Sequence, residues 1–254
     1  MGTTRLHSTP LERYGFLHDV ASRELRARRI AAVLRTFFCP DTSALGVLDV
    51  GCSAGLMTAT LARHIAWIVG VDTDHEAIGY ATTAHREIKN VHFLAASGEA
   101  LPFPGRTFDV VICNHLYEHV TDALRLMAEI RRVLRPGGAC YFAGGHRLQI
   151  IEPHYRLPFL SWLPRRAAGL YLRVTGRGSA YEETFLPPWR LHKLFTGFEG
   201  ALFLTPHLLC EPDTYAFDQG ILKLSIARWV IRRLARPIAL LSPTQLWLLR
   251  LPKT

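Results

Sequence analysis

The sequence predicts a doubly wound α/β fold built on a mostly parallel sheet. Three observations carry that expectation. Short apolar runs of strand length alternate with helical stretches from Val47 to Ala143. The first run opens into a glycine-containing turn, Gly51 to Gly55. The second run closes on an acid, Asp72. Strands alternating with helices of this length imply βαβ units.

The elements follow in order. Leu11 to Phe38 reads as a helical lead-in, with Leu17, Leu25, Ile30, Val33 and Leu34 set among arginines and Cys39-Pro40-Asp41 ending it. Val47 to Val50 is the first strand, and Leu56 to His64 a helix. Trp67 to Val71 is the second strand. Asp74 can cap a helix running to about Ile88. Val91 to Ala96 is a third strand, and Leu101 to Gly105 a Pro/Gly-rich connection. Phe108 to Cys113 is a fourth strand. The helix from Asp122 to Leu134 puts Leu126, Ile130, Val133 and Leu134 on one face, and Pro136-Gly137-Gly138 is expected to stop it. Ala139 to Ala143 is a fifth strand. Beyond Gly145 the rhythm breaks. Pro187 to Phe195 reads as a short helix, Phe198 to Leu204 as a strand, Ile221 to Arg236 as a helix with Arg228, Arg232 and Arg236 four apart, and Thr244 to Arg250 as a last strand.

Composition bounds the function classes. The chain has 254 residues, 49% of them hydrophobic, which suits a large core. Its five cysteines form no C-x-x-C pair, so a disulfide framework is not expected and a reducing cytoplasm fits. Residues 1–10 are polar and lack a signal-peptide apolar stretch. No apolar run approaches the roughly 18 residues of a membrane span. The net charge of +9 favours anionic partners.

Ligands of doubly wound sheets bind at the carboxyl ends of the strands, where the turn Asp49-x-Gly51-x-Ser53-x-Gly55 falls. Gly51 and Gly55 allow a sharp turn and close approach of a ligand. Asp72 lies 21 residues after Gly51, a position from which an acid can take both ribose hydroxyls. These features read as a site for an adenosine-containing ligand. The spacing Gly51-x-x-x-Gly55 is not the G-x-G-x-x-G of dinucleotide sites. Asp49 would repel a pyrophosphate and suits a ligand carrying an ammonium group, such as the methionine end of S-adenosylmethionine.

Val47-Leu48-Asp49-Val50-Gly51-Cys52-Ser53-Ala54-Gly55 resembles motif I of the class I S-adenosylmethionine-dependent methyltransferases. Gly70-Val71-Asp72, Gly98-Glu99-Ala100-Leu101-Pro102-Phe103, Phe108-Asp109-Val110-Val111 and Leu134-Arg135-Pro136-Gly137-Gly138 resemble the later motifs of the ubiquinone/menaquinone-methyltransferase-like group. The resemblance covers roughly residues 47–145. It implies a seven-stranded sheet of the methyltransferase type with helical lid additions, S-adenosylmethionine as cofactor, and methyl transfer. It further implies that Gly51, Ser53 and Gly55 line the methionine part, Asp49 holds its ammonium through water, and Asp72 takes the ribose. Thr73 flanks the adenine, Ser97 and Gly98 meet its edge, and Asn114 lies under the sulfonium end. Two departures stand out. Ser53 replaces the usual central Gly, which requires a negative φ there, and Ser97 stands where an Asp commonly meets the adenine amine.

The implied catalytic segment is Asn114-His115-Leu116-Tyr117-Glu118-His119, after the fourth strand. His115 and His119 are the candidate bases, since imidazole titrates near neutrality. Some family members bind a divalent metal through Glu-x-x-Glu-His here. His115, Glu118 and His119 occupy those positions, but the first ligand departs from the pattern and no metal is expected. Cys52, Cys113 and Cys140 read as small core residues.

The chain reads as one domain over 1–254: a lead-in at 1–40, a cofactor-binding core at 44–145, and acceptor or lid additions at 146–190 and 205–243. Leu157 to Arg166 sets aromatics beside arginines, and basic amphipathic helices with Trp and Leu suit anionic membrane surfaces. The expected partner is therefore a small-molecule or lipid-linked acceptor, with peripheral membrane contact. No aromatic-basic RNA module or Cys/His finger supports nucleic acid. A non-catalytic S-adenosylmethionine-binding scaffold is the alternative from another class, followed by a nicotinamide oxidoreductase.

Overall fold

In the computed structural model, which describes residues 20–215, 233–240 and 242–254, seven strands form one sheet. They are β1 (Gly46–Val50), β2 (Trp67–Asp72), β3 (Val91–Ala95), β4 (Phe108–Asn114), β5 (Leu134–Gly145), β6 (Gly200–Phe203) and β7 (Thr244–Arg250). Their order is β3-β2-β1-β4-β5-β7-β6. β1 to β5 run parallel, and β7 is antiparallel to β5 and β6. The winding reverses between β1 and β4, which opens a crevice at the carboxyl ends of these strands.

Among the described residues, helices also form at α1 (Val20–Phe37), α2 (Leu56–Leu61), α3 (His75–Ala84), α4 (Ala123–Val133), α5 (Arg165–Val174), α6 (Pro188–Leu194) and α7 (Thr205–Cys210), besides residues 233–240. Neighbouring residues of a strand face opposite sides. Val47, Ile112 and Tyr141 therefore join Ile30, Val33 and Leu34 of α1 in one core layer. Leu48, Val111 and Phe142 join Leu126, Met127, Ile130 and Val133 of α4 in the other. Each such fully buried aliphatic side chain stabilises the fold by roughly 1.5–3 kcal/mol. Cys52, Cys113 and Cys140 are free and buried, as small core residues should be.

Asp74 starts α3 by accepting hydrogen bonds from Glu76 N and Ala77 N. Asp122 does the same for α4 with Leu124 N and Arg125 N. Asp109, at the start of β4, accepts from Gly46 N at 2.8 Å and pairs with Arg135 at 2.8 Å, tying the base of β1 to the β5 entry.

Several boundaries differ from expectation. α4 ends at Val133, because Leu134 is already extended and pairs with Phe108. Pro136-Gly137-Gly138 therefore lies within β5 at a register shift rather than stopping a helix. There Gly137, at φ 75°, donates its N–H to Pro252 O. α3 ends at Ala84, four residues before Ile88. The chain then turns so that Asn90 can donate to the carbonyls of Ala62, Ile65 and Ala66. Between β5 and α6 come a two-stranded hairpin (Ile151–Glu152 with Leu157–Pro158), a 3₁₀ turn at Leu160–Trp162, and α5. The expected starts of the lead-in helix (Leu11 to Asp19) and of the arginine-striped helix (Ile221 to Arg232) lie outside the described residues; residues 233–240 are helical. Among the described residues, no helix is long and apolar enough to cross a membrane.

Candidate active site

The turn after β1 is fastened to β2. Gly51 N and Cys52 N both donate to Val71 O, at 2.8 and 3.0 Å. Gly51, Ser53 and Gly55 all have positive φ: 80°, 50° and 75°. The requirement of a negative φ at Ser53 is thus overturned. A non-glycine residue in this region costs on the order of 1–3 kcal/mol. Ser53 N donates to Asp72 Oδ2 at 2.8 Å, and this bond offsets part of that cost. At Gly55 a Cβ would lie 2.5 Å from the Phe93 ring, so packing also demands glycine.

Asp49 is fully buried inside the strand. Thr58 Oγ1 donates to its Oδ2 at 2.6 Å, while its Oδ1 has no partner. Burial pushes its carboxyl up to about 6; the Thr58 bond works against this and the nearby Asp72 charge adds to it. An unpartnered buried acceptor costs about 1–3 kcal/mol, and an ammonium group would satisfy it. Asp72 ends β2 with Oδ2 on Ser53 N and Oδ1 on Asp74 N at 3.0 Å. Both oxygens retain lone pairs for hydroxyl donors. An unpartnered acid oxygen at the turn and a half-buried acid beside it suit the two ends of S-adenosylmethionine.

The remaining predicted cofactor residues sit around the same crevice. Thr73 is exposed just past Asp72. Ser97 and Gly98 follow β3. Ser97 Oγ accepts from Glu99 N at 3.2 Å and shapes its own loop. A Cβ on Gly98 would lie 2.7 Å from Leu126 Cδ1, so close packing accounts for that glycine. Asn114 ends β4, half-buried and paired with Ala143 of β5. Leu116 spans the gap: its side chain lies 3.0 Å from where a Gly51 Cβ would be and 3.6 Å from that of Gly98.

His115 has φ 54°, and its N–H donates to Ala143 O at 2.7 Å. This bend turns the ring onto Glu118: Nδ1 lies 3.0 Å from Oε1, and Nε2 lies 3.3 Å from Thr244 Oγ1. Glu118 is buried and its Oε2 has no partner. A carboxylate on one ring nitrogen is the geometry that fixes an imidazole tautomer. His119 faces a different neighbour. Its ring packs edge-on against His154, with centroids 5.1 Å apart, and burial holds its pKa low. His154 bonds buried Glu152 at 2.6 Å through Nδ1. Burial alone would depress the His154 pKa; the Glu152 hydrogen bond and the charges of Glu152, Glu183 and Glu118 outweigh it and raise the pKa. Among the described residues, no group of three or more His, Cys, Asp or Glu is disposed to hold a metal ion.

Sequence reasoning missed the Glu118 contact with His115, the Glu152–His154 pair and Thr244. The His115/Glu118 spacing of three was a signal for the first. Glu152 and His154 reach the site only through the inserted hairpin, and Thr244 only because β7 pairs with β5. No local pattern announces either.

The sheet order and the lone antiparallel strand are those of the Rossmann-like methyltransferase fold. Residues 48–142 match the family described as "Methyltransferase domain". It is 35% identical over 125 residues to the ubiquinone biosynthesis O-methyltransferase of Rhizobium johnstonii, covering 48% of this chain and 50% of that one. It is 35% identical over 98 residues to the enzyme of the same name from Coxiella burnetii, covering 38% and 42%. The chain thus spans about half the length of the curated relatives it matches. Among solved structures, an S-adenosylmethionine-dependent methyltransferase from Mesorhizobium loti superposes with a TM-score of 0.56 at 16% identity, covering 90% of this chain and 97% of that one. One from Aquifex aeolicus gives 0.50 at 22% identity, covering 67% and 89%. These likenesses speak for the fold.

Proposed function

We propose that the protein moves the sulfonium methyl group of S-adenosylmethionine to an oxygen or carbon nucleophile of an apolar, lipid-linked acceptor. The observation that carries this reading is the His115–Glu118 pair, set at the β4 end beside the Gly51 turn. The donor supplies a methyl group already activated by positive sulfur. The protein's part is alignment, which can contribute about 7–11 kcal/mol, and proton removal, typically worth about 10²–10⁴-fold.

In this reading Asp49 receives the ammonium and Asp72 the ribose hydroxyls. Gly51, Ser53 and Gly55 line the methionine portion, Thr73, Ser97 and Gly98 surround the adenine, and Asn114 lies under the sulfonium. His115 takes the acceptor's proton on Nε2 while Glu118 holds Nδ1–H. The inserted segment supports an apolar acceptor. Ile151, Phe159 and Trp162 are 56%, 48% and 46% exposed there, with Arg156, Arg165 and Arg166 close in sequence. Such a surface also suits peripheral contact with an anionic membrane.

Calorimetric titration with S-adenosylhomocysteine, beside NADH and an Asp72→Ala control, tests the donor. Binding of the homocysteine compound alone, weakened in the control, supports the reading; a preference for NADH overturns it. Transfer of labelled methyl to a lipid extract, lost in His115→Ala with donor affinity kept, tests the chemistry.

A further inference from the structure

A second concavity lies at the far end of α2 from the Gly51–Gly55 turn. It encloses about 450 Å³ between α1 and the 3₁₀ turn Ala62–His64. Arg28 and Arg35 line it from α1, and Arg63 and His64 from the turn. The two α1 arginines are seven residues apart, two turns along one helix face. Among the described residues, the only carboxylate lining it is Glu24, which reaches Arg28 at 4.0 Å. Among the described residues, neither Arg35 nor Arg63 has an ion-pair partner.

The three guanidinium groups act on one spot. The His64 imidazole is held below its ordinary pKa by partial burial first, then by Arg35, Arg63 and Arg28. Among the described residues, four basic groups thus surround one open volume against a single acid. Their mutual repulsion is relieved when an anion enters. Planar guanidinium forks match phosphate oxygens in pairs, and an ammonium-type point charge would not. The concavity shares no residue with the methyl-transfer site.

We propose that this concavity binds a phosphate group, carried either by a soluble phosphate ester or by the headgroup of an anionic phospholipid. Binding draws Arg35 and Arg63 onto the phosphate oxygens and makes protonation of His64 easier.

Proton NMR of the His64 ring, assigned with His64→Gln, reads the site directly in the 254-residue chain. Saturating pyrophosphate should move the His64 titration to higher pH. The Arg35→Gln/Arg63→Gln protein, with an unchanged thermal melt, should bind pyrophosphate about tenfold or more weakly. Arg86→Gln, outside the concavity, should leave binding unaltered. In parallel, co-sedimentation with phosphatidylglycerol vesicles is compared with phosphatidylcholine vesicles. A His64 response to pyrophosphate assigns a soluble phosphate ester. Sedimentation with the anionic vesicles alone, lost in the double variant, assigns the lipid headgroup. A His64 titration unmoved by pyrophosphate together with vesicle binding equal in the double variant, or a pyrophosphate response that survives the double substitution, overturns the proposal.

Discussion

His115 and Glu118 stand one helical turn's spacing apart and share a hydrogen bond of 3.0 Å, with the glutamate buried and its second oxygen unpartnered. The carboxylate has no access to water to lose its orientation. Glu118→Gln keeps the shape and removes the charge that stabilises an imidazolium. We expect kcat to fall by about 10–10²-fold, and His115→Ala by about 10²–10⁴-fold. Donor affinity, measured by calorimetry, should stay the same in both.

Asp49 should make donor binding pH-dependent. Its carboxyl rises from 3.8 to about 6 on folding. Between those values the folded state holds a proton that the unfolded state has lost, so stability of the ligand-free protein falls as pH rises through that window. An ammonium group favours the carboxylate, so binding releases that proton. Affinity for S-adenosylhomocysteine should therefore weaken below pH 6, approaching about tenfold per pH unit. Asp49→Asn should flatten the profile, as followed by calorimetry in buffers of different ionisation enthalpy.

Gly55→Ala tests the turn. The new Cβ meets the Phe93 ring at 2.5 Å, and the residue must keep φ 75°. Strain and overpacking together should cost about 2–4 kcal/mol, read from urea unfolding. Donor affinity should fall with it.

Asp72→Ala removes the acceptor for two backbone N–H groups, those of Ser53 and Asp74. A stability loss of about 1–3 kcal/mol is expected, along with weakened S-adenosylhomocysteine binding. Asp72→Asn separates the two effects: it retains an oxygen for one N–H but offers the ribose hydroxyls a poorer acceptor.

The Glu152–His154 pair adds a stability contribution of the same sign as that of Asp49, at higher pH. The His154 pKa is raised on folding, burial being outweighed by Glu152 and its neighbouring carboxylates. Its stabilisation is complete below the unfolded-state pKa and is lost as pH rises through the folded value. Glu152→Gln should abolish that loss, seen as a smaller difference in Tm between pH 6 and pH 8.

The amino-acid sequence by itself determined the alternation of β1 to β5 with α2 to α4, the acid-flanked turn at Asp49–Gly55, the acid at Asp72 and the histidine-bearing segment after β4. These are local: each is written in periodicity, in cap residues such as Asp74 and Asp122, or in short fixed spacings. Tertiary structure alone decided the rest. That Ser53 sits at positive φ depends on Asp72, 19 residues away, accepting its N–H. That Pro136-Gly137-Gly138 belongs to a strand depends on β4 and on Pro252. The second partner of His115, Thr244, and the ring beside His119, His154, come from β7 and the inserted hairpin, through contacts between residues far apart in the chain. A residue's pattern reports its own helix or strand, whereas hydrogen bonds, burial and electrostatic neighbours are set by whatever segment the fold brings alongside.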